Sequence, residues 1–207
     1  MKKQVVLIVI AIFSFGIMQA QDIRFGAKAG VNFAKLTGDN LEDADGRTGF
    51  HIGGLAEFLL TEKFSVQPEI IYSQQGLQSK EEELGVEVEQ KLKLDYINIP
   101  VMAKFYVTEG LSVEAGPQIG FNTTAEVETE LSGSDSNDEF LEGTTDVSDS
   151  VTGTDISLGL GAGYRLSSGI FFQARYMFGV SNVDDADDFI GDSLTNSVLS
   201  FSAGYSF

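Results

Sequence analysis

From Ile23 onward, apolar and polar residues alternate with a period of two, the spacing that sends neighbouring side chains to opposite faces of a sheet. In the first run, Ile23, Phe25, Ala27, Ala29, Val31 and Phe33 share one face against Arg24, Gly26, Lys28, Gly30 and Asn32. Seven more runs repeat the pattern across 49–60, 64–73, 97–107, 111–122, 156–165, 170–181 and 199–207. Each is about the 9–11 residues a tilted strand needs to cross a bilayer.

The connections alternate between short and long. Thr61-Glu62-Lys63, Thr108-Glu109-Gly110 and Ser167-Ser168-Gly169 are hairpin-sized. Residues 34–46, 78–90, 123–153 and 182–195 form the long connections. Tight turns and both termini at one end, with long loops at the other, predict an all-β fold: an eight-stranded antiparallel up-and-down transmembrane β-barrel with short periplasmic turns and long acidic extracellular loops. Volume decides which face points outward. A barrel of eight strands has an interior just wide enough for side chains, so the bulky Phe, Tyr, Ile and Leu set cannot fit inside, whereas the Gly- and Ser-rich set can. Apolar outside and polar inside is the arrangement that packs, and lipid is the solvent that suits it.

Composition narrows the function. The 207 residues carry 31 acids against 13 bases, a formal charge of −18, which repels nucleic-acid phosphates. The absence of Cys excludes a disulfide framework, a thiolate zinc site, a Cys nucleophile and a lipid-bearing Cys. A single His excludes sites that need two imidazoles, and no cofactor is implied. Residues 1–20 read as a cleaved secretory signal: Lys2 and Lys3 precede the apolar run Val5 to Ile17, and Met18-Gln19-Ala20 is a small-residue cleavage site. That run reaches about 20 Å as a helix, short of a hydrocarbon core of about 30 Å. Residues 21–207 are then the barrel domain.

The segment Leu94-Asp95-Tyr96-Ile97-Asn98-Ile99-Pro100-Val101-Met102-Ala103-Lys104-Phe105, together with Gly26-Ala27-Lys28-Ala29-Gly30-Val31-Asn32, resembles the outer-membrane β-barrel domain family often labelled PorT-like or "porin family". The resemblance covers about the whole mature chain, and Tyr96-Ile97-x-Ile99-Pro100-x-x-x-Lys104 is its most specific part. It implies a compact barrel in the outer membrane of a Gram-negative bacterium, with both termini periplasmic and the long loops extracellular. It supplies no catalytic residues, and some relatives belong to a protein-secretion apparatus. Tyr205 and the terminal Phe207 end the last run as aromatic-x-aromatic, resembling the signal read by the outer-membrane assembly machinery.

The inward face carries Arg24, Lys28, Lys104, Arg165 and Arg175 with Glu57, Glu69 and Glu114. Buried charges must pair, so Glu57, Glu69, Lys104 and Glu114 are expected to interlock, with the arginines closing a ring that plugs the lumen. His51 and Glu57 lie on one strand about 20 Å apart at 3.4 Å per residue, too far for a catalytic dyad, and no enzyme is expected. Gly159-x-Gly161-x-Gly163 spaces its glycines as a crowded inner wall rather than a nucleotide loop.

The four long connections hold 23 of the 31 acids. Asp43 and Asp45, and Asp184, Asp185, Asp187 and Asp188, offer hard oxygen ligands for divalent cations, though none matches the twelve-residue calcium loop. Val86, Val88, Leu92 and Leu94, alternating with Glu87, Glu89, Lys91 and Lys93, predict that the fourth strand continues above the membrane; Val127 and Leu131 predict the same of the fifth. The function these features suggest is surface contact or envelope integrity. The expected partners are outer-membrane lipid and lipopolysaccharide, the assembly machinery, and an extracellular or secretion-complex protein. The alternatives are a narrow porin for ions or small solutes and a PorT-like secretion component.

Overall fold

The computed structural model describes residues 23–37, 45–83, 86–133, 141–148, 151–181 and 195–207. Nine strands follow one another: β1 (Ile23–Thr37), β2 (Asp45–Leu59), β3 (Phe64–Glu83), β4 (Val86–Tyr106), β5 (Leu111–Gly133), β6 (Leu141–Asp146), β7 (Thr154–Arg165), β8 (Ile170–Gly179) and β9 (Thr195–Ser206). Eight close a ring in the order β1-β2-β3-β4-β5-β7-β8-β9, with every neighbour antiparallel. The seam between β9 and β1 is tied at its turn end, where Phe207 N–H donates to Phe25 O at 2.8 Å and Phe25 N–H donates back at 3.1 Å. β6 stands outside the ring and pairs with β5.

Local chemistry makes the tight turns. Thr61 Oγ1 accepts from the N–H of Phe64 at 3.0 Å, and Thr108 Oγ1 accepts from the N–H of Leu111 at 3.1 Å, so each hydroxyl stands in for a backbone acceptor. The third turn uses Gly169 at φ +92°, where a side chain would be strained and would strike Ser206 O.

The predicted faces are those observed. Ile70 is 62% exposed and Phe172 54%, while Glu69 beside the first is 2% and Arg175 3%. Aromatic rings gather toward both ends of the strands, with Phe25, Phe64, Phe105, Tyr164, Phe172 and Tyr205 near the turns and Phe33, Phe50, Tyr72, Phe121 and Phe178 toward the other end. Such girdles suit the two interfaces of a bilayer. Pairing is interrupted beside Pro100 and Pro117, which have no N–H to give: the β3–β4 ladder skips from Pro68 to Ile71, and the β4–β5 ladder from Pro100 to Ala103.

Within the connection at 78–90, residues 86–90 are strand as the alternation predicts, and 78–83, expected as loop, are strand as well. β3 and β4 stay paired from Gln78↔Lys91 to Glu83↔Val86, so acids assigned to a loop sit on a β wall. A ladder satisfies its own backbone groups, so the strand persists here although Ser79 to Glu83 has no apolar face. The connection at 123–153 likewise contains the rest of β5 and all of β6. Asp45 opens β2 opposite Gln78 rather than lying in a loop. Asp43, Asp184, Asp185, Asp187 and Asp188 lie outside the described residues, as does the segment 1–20.

Candidate functional site: the lumen and the wall beyond it

The middle of the lumen is filled by an ion-paired ring drawn from four strands. Arg175 on β8 forks onto Glu69 of β3 through Nη2–Oε1 at 2.7 Å and Nη1–Oε2 at 3.0 Å, and its Nε reaches Glu114 Oε1 of β5 at 2.7 Å. Lys28 Nζ on β1 bonds Glu69 Oε2 at 2.8 Å and donates to Gln173 Oε1 at 2.7 Å; Gln173 Nε2 donates to Glu114 Oε2 at 2.9 Å and closes the circuit. Two cations meet two carboxylates, so the layer is neutral and each charge is satisfied. Gly161 makes room for it, since a side chain there would begin 2.8 Å from Glu114 Oε1.

Toward the turns, Glu57 gathers a second group. The Tyr106 hydroxyl donates to its Oε1, Ser65 Oγ donates to the same oxygen at 2.6 Å, and Lys104 Nζ lies at 3.6 Å and Arg24 Nη1 at 3.8 Å. Gln67 joins the two groups: it accepts from Lys104 at 3.0 Å and donates to Glu69 at 2.6 Å. Seven of the eight predicted lumen charges are thus linked. Arg165 is not drawn into this network; its Nε donates to Ser206 Oγ at 2.9 Å at the turn end. The single ring expected is therefore two groups bridged by an amide.

Above the charges lies a neutral layer. His51 Nδ1 is 2.8 Å from Asn32 Oδ1 and Nε2 is 2.8 Å from Ser202 Oγ. Because Asn32 Nδ2 is engaged by Ser73 Oγ at 2.9 Å, Asn32 presents its oxygen, so Nδ1 carries the proton and Nε2 accepts from the serine. This serine–histidine–amide connectivity was invisible in the sequence, where the partners are 19 and 151 residues from His51. It resembles a hydrolytic triad in connectivity alone. The adjoining cavity of about 30 Å³ has room for water-sized guests, far below the several hundred Å³ of a substrate pocket. A second cavity of about 20 Å³ lies beside Glu57 and Lys104.

At the far end an apolar cap replaces the polar filling. Leu94, Tyr96 and Ala125 are fully buried, and Leu77, Leu92, Val147 and Val151 pack on them. The segment after β6 is held there by Val147 N–H to Ala125 O at 2.9 Å and by Asn122 N–H to Gly153 O at 3.0 Å. Here the polarity of the wall inverts. On β4, Leu92 and Leu94 face inward while Lys91 and Lys93 face out; on β5, a shift at Asp95↔Thr124 and Tyr96↔Asn122 inserts Thr123 and flips the phase, so Ala125 and Val127 turn inward opposite Leu94 and Leu92. On the outer face Lys91 Nζ meets Glu130 at 2.8 Å and Lys93 Nζ meets Glu128 at 2.6 Å. The Lys93 bond holds the Glu128 carboxyl below its ordinary range, and the Glu130 bond lifts the Lys91 ammonium above its own. Tyr72 OH donates to Asp95 at 2.5 Å where the two regimes meet.

Below, the wall is apolar outside and polar inside; above, it is charged outside and apolar inside. Residues 19–185 match the family described as outer membrane protein beta-barrel domain. The chain belongs to that family. This outer membrane barrel has no significant match among curated proteins. Among solved structures it is similar to Ail, the attachment invasion locus protein of Yersinia pestis, at 14% identity and TM-score 0.51, over 89% of this chain and 98% of that one. It is also similar to Neisserial surface protein A, at 13% identity and TM-score 0.52, over 88% and 97%. A further Ail structure, at 14% identity and TM-score 0.50 over 90% and 99%, holds the heparin analogue sucrose octasulfate. At these identities the likeness is one of fold. The outer membrane barrel's Tyr205 and Phe207 lie on its outer surface with their rings stacked at 6.4 Å.

Proposed function

We propose that this outer membrane barrel is a closed, surface-displayed binding protein, exported by the signal at 1–20 and inserted with its tight turns toward the periplasm. The observation that carries the reading is a lumen blocked at two levels, by the Arg175–Glu69–Glu114–Lys28 circuit and by the apolar cap on Leu94 and Tyr96. A conducting tube gains nothing from a dry cap at its outer mouth. A wall built to stand in water does, because the cap is that wall's core.

The charge of the wall favours cationic or polar partners. Ail holds a polysulfated sugar, but a chain at −18 repels polyanions, so fold likeness does not carry that ligand across. The Ser202–His51–Asn32 chain acts here as lumen packing, since no substrate-sized space adjoins it.

Planar-bilayer recording tests the reading. Purified barrel is expected to give no stable unit conductance; reproducible steps would point to a narrow porin and overturn it.

A further inference from the structure

The wall beyond the lumen charges ends in an open sheet edge. β6 pairs with β5 on one side, and among the described residues no strand pairs with its other side. Antiparallel residues alternate between opposed pairs that exchange hydrogen bonds and pairs that do not. Val147 N–H donates to Ala125 O at 2.9 Å, continuing the register that sets Asp146 opposite Glu126. Val147, Thr145 and Gly143 therefore direct their N–H and C=O groups at β5, and Asp146, Thr144 and Glu142 direct theirs at the open edge. Gly143, Thr144, Thr145 and Asp146 are exposed, and nothing lies within 4 Å of where a Gly143 side chain would begin. Lysine, proline and bulges ordinarily blunt such edges, and the stretch Leu141–Asp146 has none of them.

Charge states what fits. Asp146 stands opposite Glu126, two like charges side by side, and Lys93, which opposes Glu126 from β4, reaches Glu128 instead. A second copy of this chain pairing along the same edge would bring further acids against these, which is unfavourable across strands. A strand with lysine or arginine on its outward positions would satisfy the free backbone groups and the acids together.

We propose that β6 is a docking edge at which an extended basic segment of a partner protein adds as a further strand. The proposal rests on the surface-binding reading above and gives that partner its chemistry.

The test uses the full barrel in nanodiscs and a synthetic peptide alternating lysine and threonine, carrying ¹³C-labelled carbonyls. The peptide is expected to bind, and its labelled amide band to shift to an antiparallel-sheet frequency. Thr144→Pro removes an edge donor without touching the β5 ladder and should weaken binding about tenfold, the equivalent of about 1.4 kcal/mol. Glu126→Lys, which leaves every backbone group in place, should weaken it similarly if Thr144→Pro perturbs β6. An acidic peptide of the same length should not bind. Equal binding by wild type and both variants would overturn the edge and leave surface binding standing. Absence of any binding to wild type would likewise overturn the edge, with the closed lumen judged separately by conductance. A dimer abolished by Thr144→Pro would make the occupant a second copy and overturn the basic partner.

Discussion

Arg175 is the residue on which the lumen most depends, since it answers two carboxylates at once. Arg175→Met leaves Glu69 and Glu114 buried with Lys28 as the remaining cation of their layer, and should cost about 3–5 kcal/mol, the range for breaking a buried pair by removing one partner. Urea unfolding of barrel refolded into lipid vesicles measures it. Ser202→Ala, by contrast, deletes one neutral hydrogen bond and should cost about 1 kcal/mol. In the same preparation a serine-reactive fluorophosphonate should leave the wild type unlabelled. At this scale the sequence disclosed which side chains point inward, because a period of two is enough for that. It did not disclose partners: Arg175 and Glu69 are 106 residues apart, and their meeting depends on registers across several ladders. Arg165 has the same parity as its fellow arginines yet bonds Ser206 at the turn end, a choice of partner that alternation does not encode.

Among elements, the wall that β3, β4, β5 and β6 form beyond the lumen charges invites a direct test. Ala125→Glu puts a carboxylate into the buried apolar cap beside Leu94 and Tyr96. The expected outcome is a wall open to protease above a barrel that still migrates as a folded band on unheated detergent gels. The outer ion pairs give this wall a pH window. Glu128, its carboxyl lowered by Lys93, contributes stability that is present above the unfolded carboxylate value and is lost as pH falls through the lower folded one; the loss begins below about 4.3. Lys91, raised by Glu130, contributes below the unfolded lysine value of about 10.4 and loses that contribution as pH climbs through the folded one. Amide exchange of the wall, corrected for intrinsic pH dependence, should therefore be slowest between those limits, with a change well under about 1 kcal/mol because the pairs are solvated. Alternation announced the upward reach of β4 and β5. It did not announce β6, because Leu141-Glu142-Gly143-Thr144-Thr145-Asp146 has too few apolar positions to show a face. Nor did it assign 78–83 to β3, since Ser79-Lys80-Glu81-Glu82-Glu83 is polar throughout and is held as strand by its ladder to β4.

For the molecule as a whole, the architecture was the most legible level, because three signals with separate physical origins agreed: strand length, the alternation of short and long connections, and the volume limit on the interior. Their joint consequence is that the folded chain should require detergent or lipid; a monodisperse folded species in plain buffer would contradict it. Phe207→Ser should lower the amount assembled in the membrane of cells, read by surface proteolysis, while leaving refolding of the purified chain in detergent intact. The tie between Phe25 and Phe207 carries a consequence of its own. No hairpin along the way can close the circle, because the pairing that shuts it joins the first strand to the ninth, so nearly the entire polypeptide must have emerged before the cylinder exists. Until then its greasy flank has nothing to face but water. Such a chain must cross the periplasm in the keeping of a chaperone.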